Sequence, residues 1–227
     1  MKLKKIHEIK GQVEVLTGLH IGGSKDNIEI GGMDNPIIKD PLNGAPYIPG
    51  SSLKGKMRSQ LELVFFSEHL KADGGPVGNP KTLVCKIFGM PISRETEEER
   101  AVVGPTRIIV RDAVLAPEWQ ERYKRGELPS EEKYENSIHR LKGVAQNPRP
   151  LERVPAGVEF SLSITLKEME GDILQDHLDL IGKGLQLIEM DGLGGSISRG
   201  SGQVEFKQLT CNGEPFEHRK LQVWGEA

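Results

Sequence analysis

Apolar and polar positions alternate over residues 6–16, with Ile6, Ile9, Val13 and Val15 set among His7, Glu8, Lys10 and Glu14, which predicts a half-buried first strand. From 17 to 50 the periodicity stops. Gly22-Gly23, Gly31-Gly32, Asn35-Pro36, Asp40-Pro41, Asn43-Gly44 and Pro49-Gly50 punctuate this stretch with turn chemistry, while the short apolar runs 28–30 and 36–38 predict an ordered loop. A helix follows, capped by Ser51 or Ser52, with Leu53, Met57, Leu61 and Val64 on one stripe, running to about His69. Residues 73–80 read as a Gly/Pro loop, 82–88 as a short apolar segment, 94–100 as a solvated acidic face and 102–110 as a second strand. Residues 117–156 mix Trp119, Tyr123 and Tyr134 with Pro129, Pro148, Pro150 and Pro155 and lack a period, so they read as an insertion built as an extended hairpin. Residues 158–166 give the cleanest alternation in the chain. Asp172 with Gln175 fits a capping box for a second helix, whose stripe is Leu174, Leu178, Ile181, Leu185 and Ile188 and whose stop is Gly192. A last strand spans 203–209. Strand, helix, strand taken twice is the split βαβ pattern of a ferredoxin-like α+β sandwich.

The 227 residues form one domain on this reading, with the 117–156 insertion inside it. A charged content of 28%, a hydrophobic content of 36% and a net charge of -3 exclude wholesale disorder and a globally basic nucleic-acid coat. Any polyanion must therefore meet a local basic patch. The two cysteines, Cys85 and Cys211, speak against a disulfide framework and for a cytoplasmic protein. No apolar run approaches the roughly 18 residues of a membrane span, so no membrane partner is expected. The 27 glycines are clustered, which points to special loops.

Three segments hold candidate chemistry. Residues 49–58 bring Ser51, Ser52, Lys54, Lys56 and Arg58 to a helix N-terminus, where free backbone N–H groups would add to an anion site. Cations there oppose the helix dipole, so phosphate binding explains them better than a merely solvated face. The cluster 192–202 runs from helix to strand, the reverse of a dinucleotide-binding turn, with Ile197 where a third glycine would stand. Its Gly194, Gly195, Arg199 and Gly200 could press against a phosphodiester backbone, or the loop could be a plain flexible connection. Asp34, between Gly32 and Pro36, is either a turn former or a carboxylate able to hold Mg²⁺ or act as base on a ribose 2′-OH. His20 could touch phosphate or pack a loop; His69, His139, His177 and His218 have no metal-ligand spacing.

Taken in order, Gly18 through Gly23, Asp34 through Pro41, Tyr47 through Arg58, Lys133 through Arg140, Ala145 through Arg149, Glu152-Arg153 and Leu193 through Gly202 resemble the RAMP superfamily of CRISPR-associated proteins. Within it they are similar to the repeated backbone subunit of type III-A (Csm) interference complexes. The likeness covers about residues 13–206. It implies a ferredoxin-like (RRM-like) palm with long loop insertions and a thumb hairpin, stacked in several copies along a CRISPR RNA beside other type III effector subunits. It implies that His20, Ser51, Ser52, Lys54, Lys56, Arg58, Gly194, Gly195, Arg199 and Gly200 contact RNA. It places Tyr134, Asn136, Arg140, Asn147, Arg149 and Arg153 on the thumb.

The position matching Asp34 is, in the family, the aspartate needed for metal-dependent cleavage of guide-paired single-stranded target RNA. The resemblance therefore implies an endonuclease using Mg²⁺ or Mn²⁺, active within the assembled complex. The rival is a purely structural guide-binding scaffold in which Asp34 is a turn residue. A repeat-processing nuclease is disfavoured, since no His–Tyr–Lys acid–base set presents itself. Many relatives carry a cysteine cluster for zinc ahead of the Ile-Phe-Gly segment; here only Cys85 precedes Lys86 to Gly89, so no zinc is expected. No RNP1 run is present, which makes base stacking on the sheet improbable and points to backbone-led, sequence-tolerant binding.

Overall fold

The computed structural model describes residues 2–23, 35–91 and 101–224. Its centre is a five-stranded sheet. Strand β1 (Leu3–Val15) lies in the middle, antiparallel to both neighbours, β7 (Glu159–Met169) and β8 (Val204–Cys211). Strand β3 (Ile108–Val110) extends the sheet beyond β7, and β9 (Glu214–Pro215) extends it beyond β8, giving the order β3-β7-β1-β8-β9. Without the short β9, this is the strand order of a ferredoxin-like sheet, as expected.

The alternation of β7 has a direct physical result: Phe160, Leu162, Ile164 and Leu166 are buried while their neighbours are partly exposed. Ile9, Val13 and Val15 of β1 join them in the core. Helix α1 (Gly50–Phe65) adds Leu53, Met57 and Leu61 to it. Two further helices are short, α2 (Leu83–Phe88) and α3 (Pro117–Lys124). Helix α4 (Leu174–Asp191) packs against α1 and contributes Ile181, Leu185 and Ile188. A two-residue strand β2 (Tyr47–Ile48) pairs with β4 (Ala113–Val114) at the entrance to α1.

Several local readings change. The first helix ends at Phe65, and residues 67–69 form a separate 3₁₀ turn. Neither Ser51 nor Ser52 caps it; Pro49 holds the cap position. Its first amide, on Gly50, instead donates to Asp112 Oδ1 at 2.7 Å, so the capping carboxylate comes from the strand side. Only glycine fits there, because a Cβ would stand 2.2 Å from the Val110 carbonyl oxygen. The next bonded amides, on Ser52 and Leu53, return to the Pro49 carbonyl, so the opening turn is not a row of free anion donors. Asp172 does not cap α4 either. It is buried against Arg107, with Nε 3.1 Å from Oδ2, and accepts from the Met169 amide. The second strand contracts to Ile108–Val110.

The insertion is partly helical: Trp119 and Tyr123 of α3 pack against the core. Beyond it the expected hairpin is present. Strands β5 (Glu131–Ile138) and β6 (Ala145–Arg153) pair only with each other, and their outer halves are exposed. The acidic run 94–100 and the apolar run 28–30 lie outside the described residues.

Candidate nucleic-acid interface

Residues 17–20 lie between the foot of the hairpin and the glycine loop. Leu19 and Val154 exchange both backbone hydrogen bonds, at 2.8 and 2.9 Å. On the other side, the amide of Gly195 donates to the His20 carbonyl at 2.8 Å, and that of Gly202 donates to the Gly18 carbonyl at 3.1 Å. Gly194 makes this approach possible: its φ is +80°, and a Cβ would stand 2.2 Å from the His20 oxygen. The cluster is thus a built loop, with Ile197–Arg199 as a 3₁₀ turn.

His20 Nδ1 lies 2.7 Å from the Glu152 carbonyl oxygen. A carbonyl only accepts, so Nδ1 carries the hydrogen and, in the neutral ring, Nε2 presents a lone pair. Glu152 itself is buried and takes three donors: the Ile37 amide at 3.0 Å, Lys39 Nζ at 2.6 Å and Ser130 Oγ at 2.7 Å. Burial opposes its charge, but Lys39, Ser130 and the Ile37 amide together hold its carboxyl below the usual range.

The same strand grips the segment that begins at Asn35. The Glu152 amide donates to the Asn35 carbonyl at 3.2 Å, and Asn35 Nδ2 donates to the Pro150 carbonyl at 3.2 Å. The Gly23 amide donates to Pro36 and that of Ile38 to Ile21, lacing the two flanks of 24–34 together. Asp34 lies outside the described residues; its neighbour Asn35 is fixed to the hairpin foot.

Charged side chains complete the junction. Arg153 pairs with Glu131 and donates to Ser201 Oγ at 3.1 Å, binding hairpin to glycine loop. Lys133 Nζ donates to the Arg199 carbonyl at 2.8 Å, and the Arg199 guanidinium pairs with Glu135. Lys56 of α1 pairs with Asp191 at the end of α4. An open groove of about 530 Å³ runs past Lys56, Asp191, Gly194, Ser196 and Arg199. A second cleft, of about 420 Å³, lies between Arg199 and the hairpin residues Glu135, Asn136, Arg140, Asn147 and Arg149.

The structure therefore brings His20, Lys56, Gly194, Gly195, Arg199 and Arg153 to one junction, with Asn136, Arg140, Asn147 and Arg149 on the adjoining cleft. Gly200, φ +83°, ends the 3₁₀ turn, and Tyr134 is exposed on β5. Arg58 goes elsewhere. Its guanidinium faces inward, donating to Glu62 at 2.6 Å, to the Gly89 carbonyl at 3.0 Å and to the Val77 carbonyl at 2.9 Å. Ser51 is exposed and Ser52 half-buried on the first turn of α1; neither lines the groove. Lys54 has no ion-pair partner among the described residues, and burial, with Arg58 beside it, pushes its amine below the usual range. Glu152, Lys39 and Ser130 went unrecognised as a unit in the sequence, because nothing local signals a pairing across more than a hundred positions.

A family description, "RAMP superfamily", matches residues 12–205. The chain belongs to the RAMP superfamily. Among curated RAMP-type relatives, "CRISPR system Cms endoribonuclease Csm3" of Methanothermobacter thermautotrophicus is 44% identical over 96% of this chain and 90% of that protein. The protein of the same name from Methanocaldococcus jannaschii is 38% identical over 92% of this chain and 82% of its own length. A solved structure described as the "Csm3-Csm4 subcomplex in the type III-A CRISPR-Cas interference complex" aligns with a TM-score of 0.58 at 29% identity, covering 93% of this chain and 80% of that one. The Methanopyrus kandleri Csm3 crystal structure gives 0.59 at 26% identity, over 88% and 75%. The sheet order is accordingly that of a RAMP palm. Among the described residues no helix is long and apolar enough to cross a membrane.

Proposed function

We propose that this chain is a backbone subunit of a type III CRISPR complex, stacked in several copies along a CRISPR RNA, and that it cleaves the target RNA paired to that guide. The relatives' name, endoribonuclease, supports RNA cleavage, and the subcomplex with Csm4 supports assembly with other effector subunits. The observation that carries the site assignment is the attachment of Asn35 to Glu152 and Pro150. It ties the segment that follows Asp34 to the hairpin foot, where His20, the glycine loop and Arg199 meet.

In this reading a guide phosphate lies in the groove beside Lys56, Gly194 and Arg199, held by charge and by close backbone approach and not by base identity. The hairpin, through Tyr134, Asn136, Arg140, Asn147 and Arg149, separates target nucleotides from the guide near each subunit. Asp34 takes the proton of a target 2′-OH, which attacks the adjacent phosphorus as the bond to the 5′ oxygen breaks and that oxygen collects a proton from solvent. Charge developing on the phosphate is met by Lys or Arg side chains. Among the described residues no three His, Cys, Asp or Glu side chains come together as a metal set. An Mg²⁺ or Mn²⁺ ion would rely on Asp34 and on the RNA's own phosphate oxygens, and would supply Lewis-acid polarisation of the phosphoryl group.

The test is target-RNA cleavage by the reconstituted complex, wild type against Asp34→Ala, after guide and target binding have been matched. Loss of periodic cuts with binding intact is the expected result. Cuts that persist would leave the chain as a guide-binding scaffold.

A further inference from the structure

Glu135 is an energetic anomaly. It projects from β5 into the cleft between the hairpin and the glycine loop, and its carboxylate is only 15% exposed. Oε2 pairs with the Arg199 guanidinium, but Oε1 is buried with no hydrogen-bond partner among the described residues, Lys133 Nζ standing 3.8 Å away. A buried carboxylate oxygen left unsatisfied has lost its hydration with no bond to offset the loss, so the position invites a role beyond stability. The pair is also asymmetric. Arg199 is 64% exposed and free to swing, whereas Glu135 is enclosed.

The surroundings of Glu135 are those of a phosphate subsite. Arg140, Arg149 and Arg199 line the cleft together with Asn136, Asn147 and Ser137, and Glu135 is its one carboxylate among the described residues. In the adjoining groove the same device recurs, with Asp191 on Lys56. An anionic oxygen thus already occupies the guanidinium of Arg199 in the free chain.

We infer that Glu135 is a specificity-determining residue: its carboxylate stands in for an RNA phosphate on Arg199 and must be displaced for a strand to seat. This rests on the RNA-binding reading above and deepens it. A strand held at one point exchanges one ion pair for another and gains little. A strand that also engages the Lys56 groove and Arg140 and Arg149 gains enough in total to open the pair. The chain therefore resists short or stray RNA and accepts a continuous strand. A solvent-freed Glu135 also recovers hydration for its orphaned oxygen, which lowers the cost of opening once the strand arrives.

Fluorescence anisotropy with a labelled mixed-sequence single-stranded RNA and the full chain tests this over a salt series. Glu135→Gln keeps the shape of the side chain and is expected to bind roughly two- to fivefold tighter than wild type, the yield of breaking a half-exposed ion pair. Its plot of log affinity against log salt should steepen by up to about 0.7, because in wild type the displaced Glu135 carboxylate takes up a cation that offsets one counterion released from the strand. Glu132→Gln, on the same strand and outside the cleft, removes the same charge and is expected to leave the affinity near wild type. Arg199→Ala is expected to weaken binding and to abolish the gain from Glu135→Gln. Equal gains from Glu132→Gln and Glu135→Gln, or no gain from the latter while wild type binds RNA, would overturn the inference alone. Failure of wild type to bind RNA at any salt would overturn the RNA-binding reading and this inference with it.

Discussion

Asn35 and Glu152 are joined backbone to backbone, the Glu152 amide donating to the Asn35 carbonyl at 3.2 Å across 117 positions of sequence. The same glutamate sends its carboxylate to the Ile37 amide and to Lys39. One residue of the hairpin therefore sets both the height and the direction of the segment that follows Asp34.

Truncation at this point should separate cutting from holding. Glu152→Ala leaves the Ile37 amide and Lys39 without their acceptor, a loss of roughly 1–3 kcal/mol in stability. Because displacement of a reacting group by about 1 Å costs on the order of a hundredfold in rate, cleavage by the assembled complex should fall far more than guide binding. Parallel urea denaturation and cleavage assays check this; equal losses of binding and cutting would count against a positioning role.

The glycine loop offers a paired comparison. Gly194 and Gly171 both have positive φ, +80° and +87°, but a Cβ on Gly171 meets nothing within 4 Å, while one on Gly194 meets the His20 oxygen at 2.2 Å. Gly171→Ala should cost about 1 kcal/mol from the left-handed backbone alone. Gly194→Ala should cost roughly 2 kcal/mol or more and weaken RNA binding, since the loop must leave His20. Melting temperatures and RNA affinities of the two variants, measured side by side, separate strain from contact.

Acid stability should depend on Glu189. Burial opposes its ionisation, yet hydrogen bonds from His218, Arg219 and the Phe206 amide hold its pKa at about 2, against 4.5 when free. As pH falls the unfolded chain takes up this proton first. The contribution, about 3 kcal/mol, is thus complete above pH 4.5 and disappears as pH falls from 4.5 to about 2. Glu189→Gln should be less stable than wild type at neutral pH, and the gap should close across that window in denaturation midpoints.

Gly55 sits exposed in the interior of α1 between Lys54 and Lys56, with no atom within 4 Å of where a Cβ would stand. Gly55→Ala should therefore stabilise the free chain by about 1 kcal/mol, or roughly 2–4 °C in melting temperature. If a strand runs along this face, the added methyl lies in its way and RNA affinity drops despite the gain. Unchanged affinity would move the strand off α1.

What was legible in the sequence had a local period. The alternation of 158–166 becomes β7, and the stripes through Leu53 and Leu185 become α1 and α4, with Gly192 ending the latter. What was hidden depends on partners far along the chain. Asp112 caps α1 from 62 positions away, and Asp172, which by spacing resembles a cap, is held by Arg107 instead. Helix α3 offers only Trp119 and Tyr123 as large apolar positions in about two turns, too few to show a period among prolines. At the site, His20 and the loop of Gly194, Gly195 and Arg199 come together. Arg58 does not, because Gly89 and Val77 present carbonyls to it that no sequence pattern announces.

The central place of β1 has a consequence for how a copy is made. Ile9 faces Ile164 on one side and Cys211 on the other, so the strand synthesised first needs partners synthesised last. Until β7 leaves the ribosome, β1 has two open edges, and the sheet closes only by contacts of high sequence separation, which form slowly. Nascent chains are therefore most exposed to mispairing with one another at the stage when β1 and α1 exist but β7 does not.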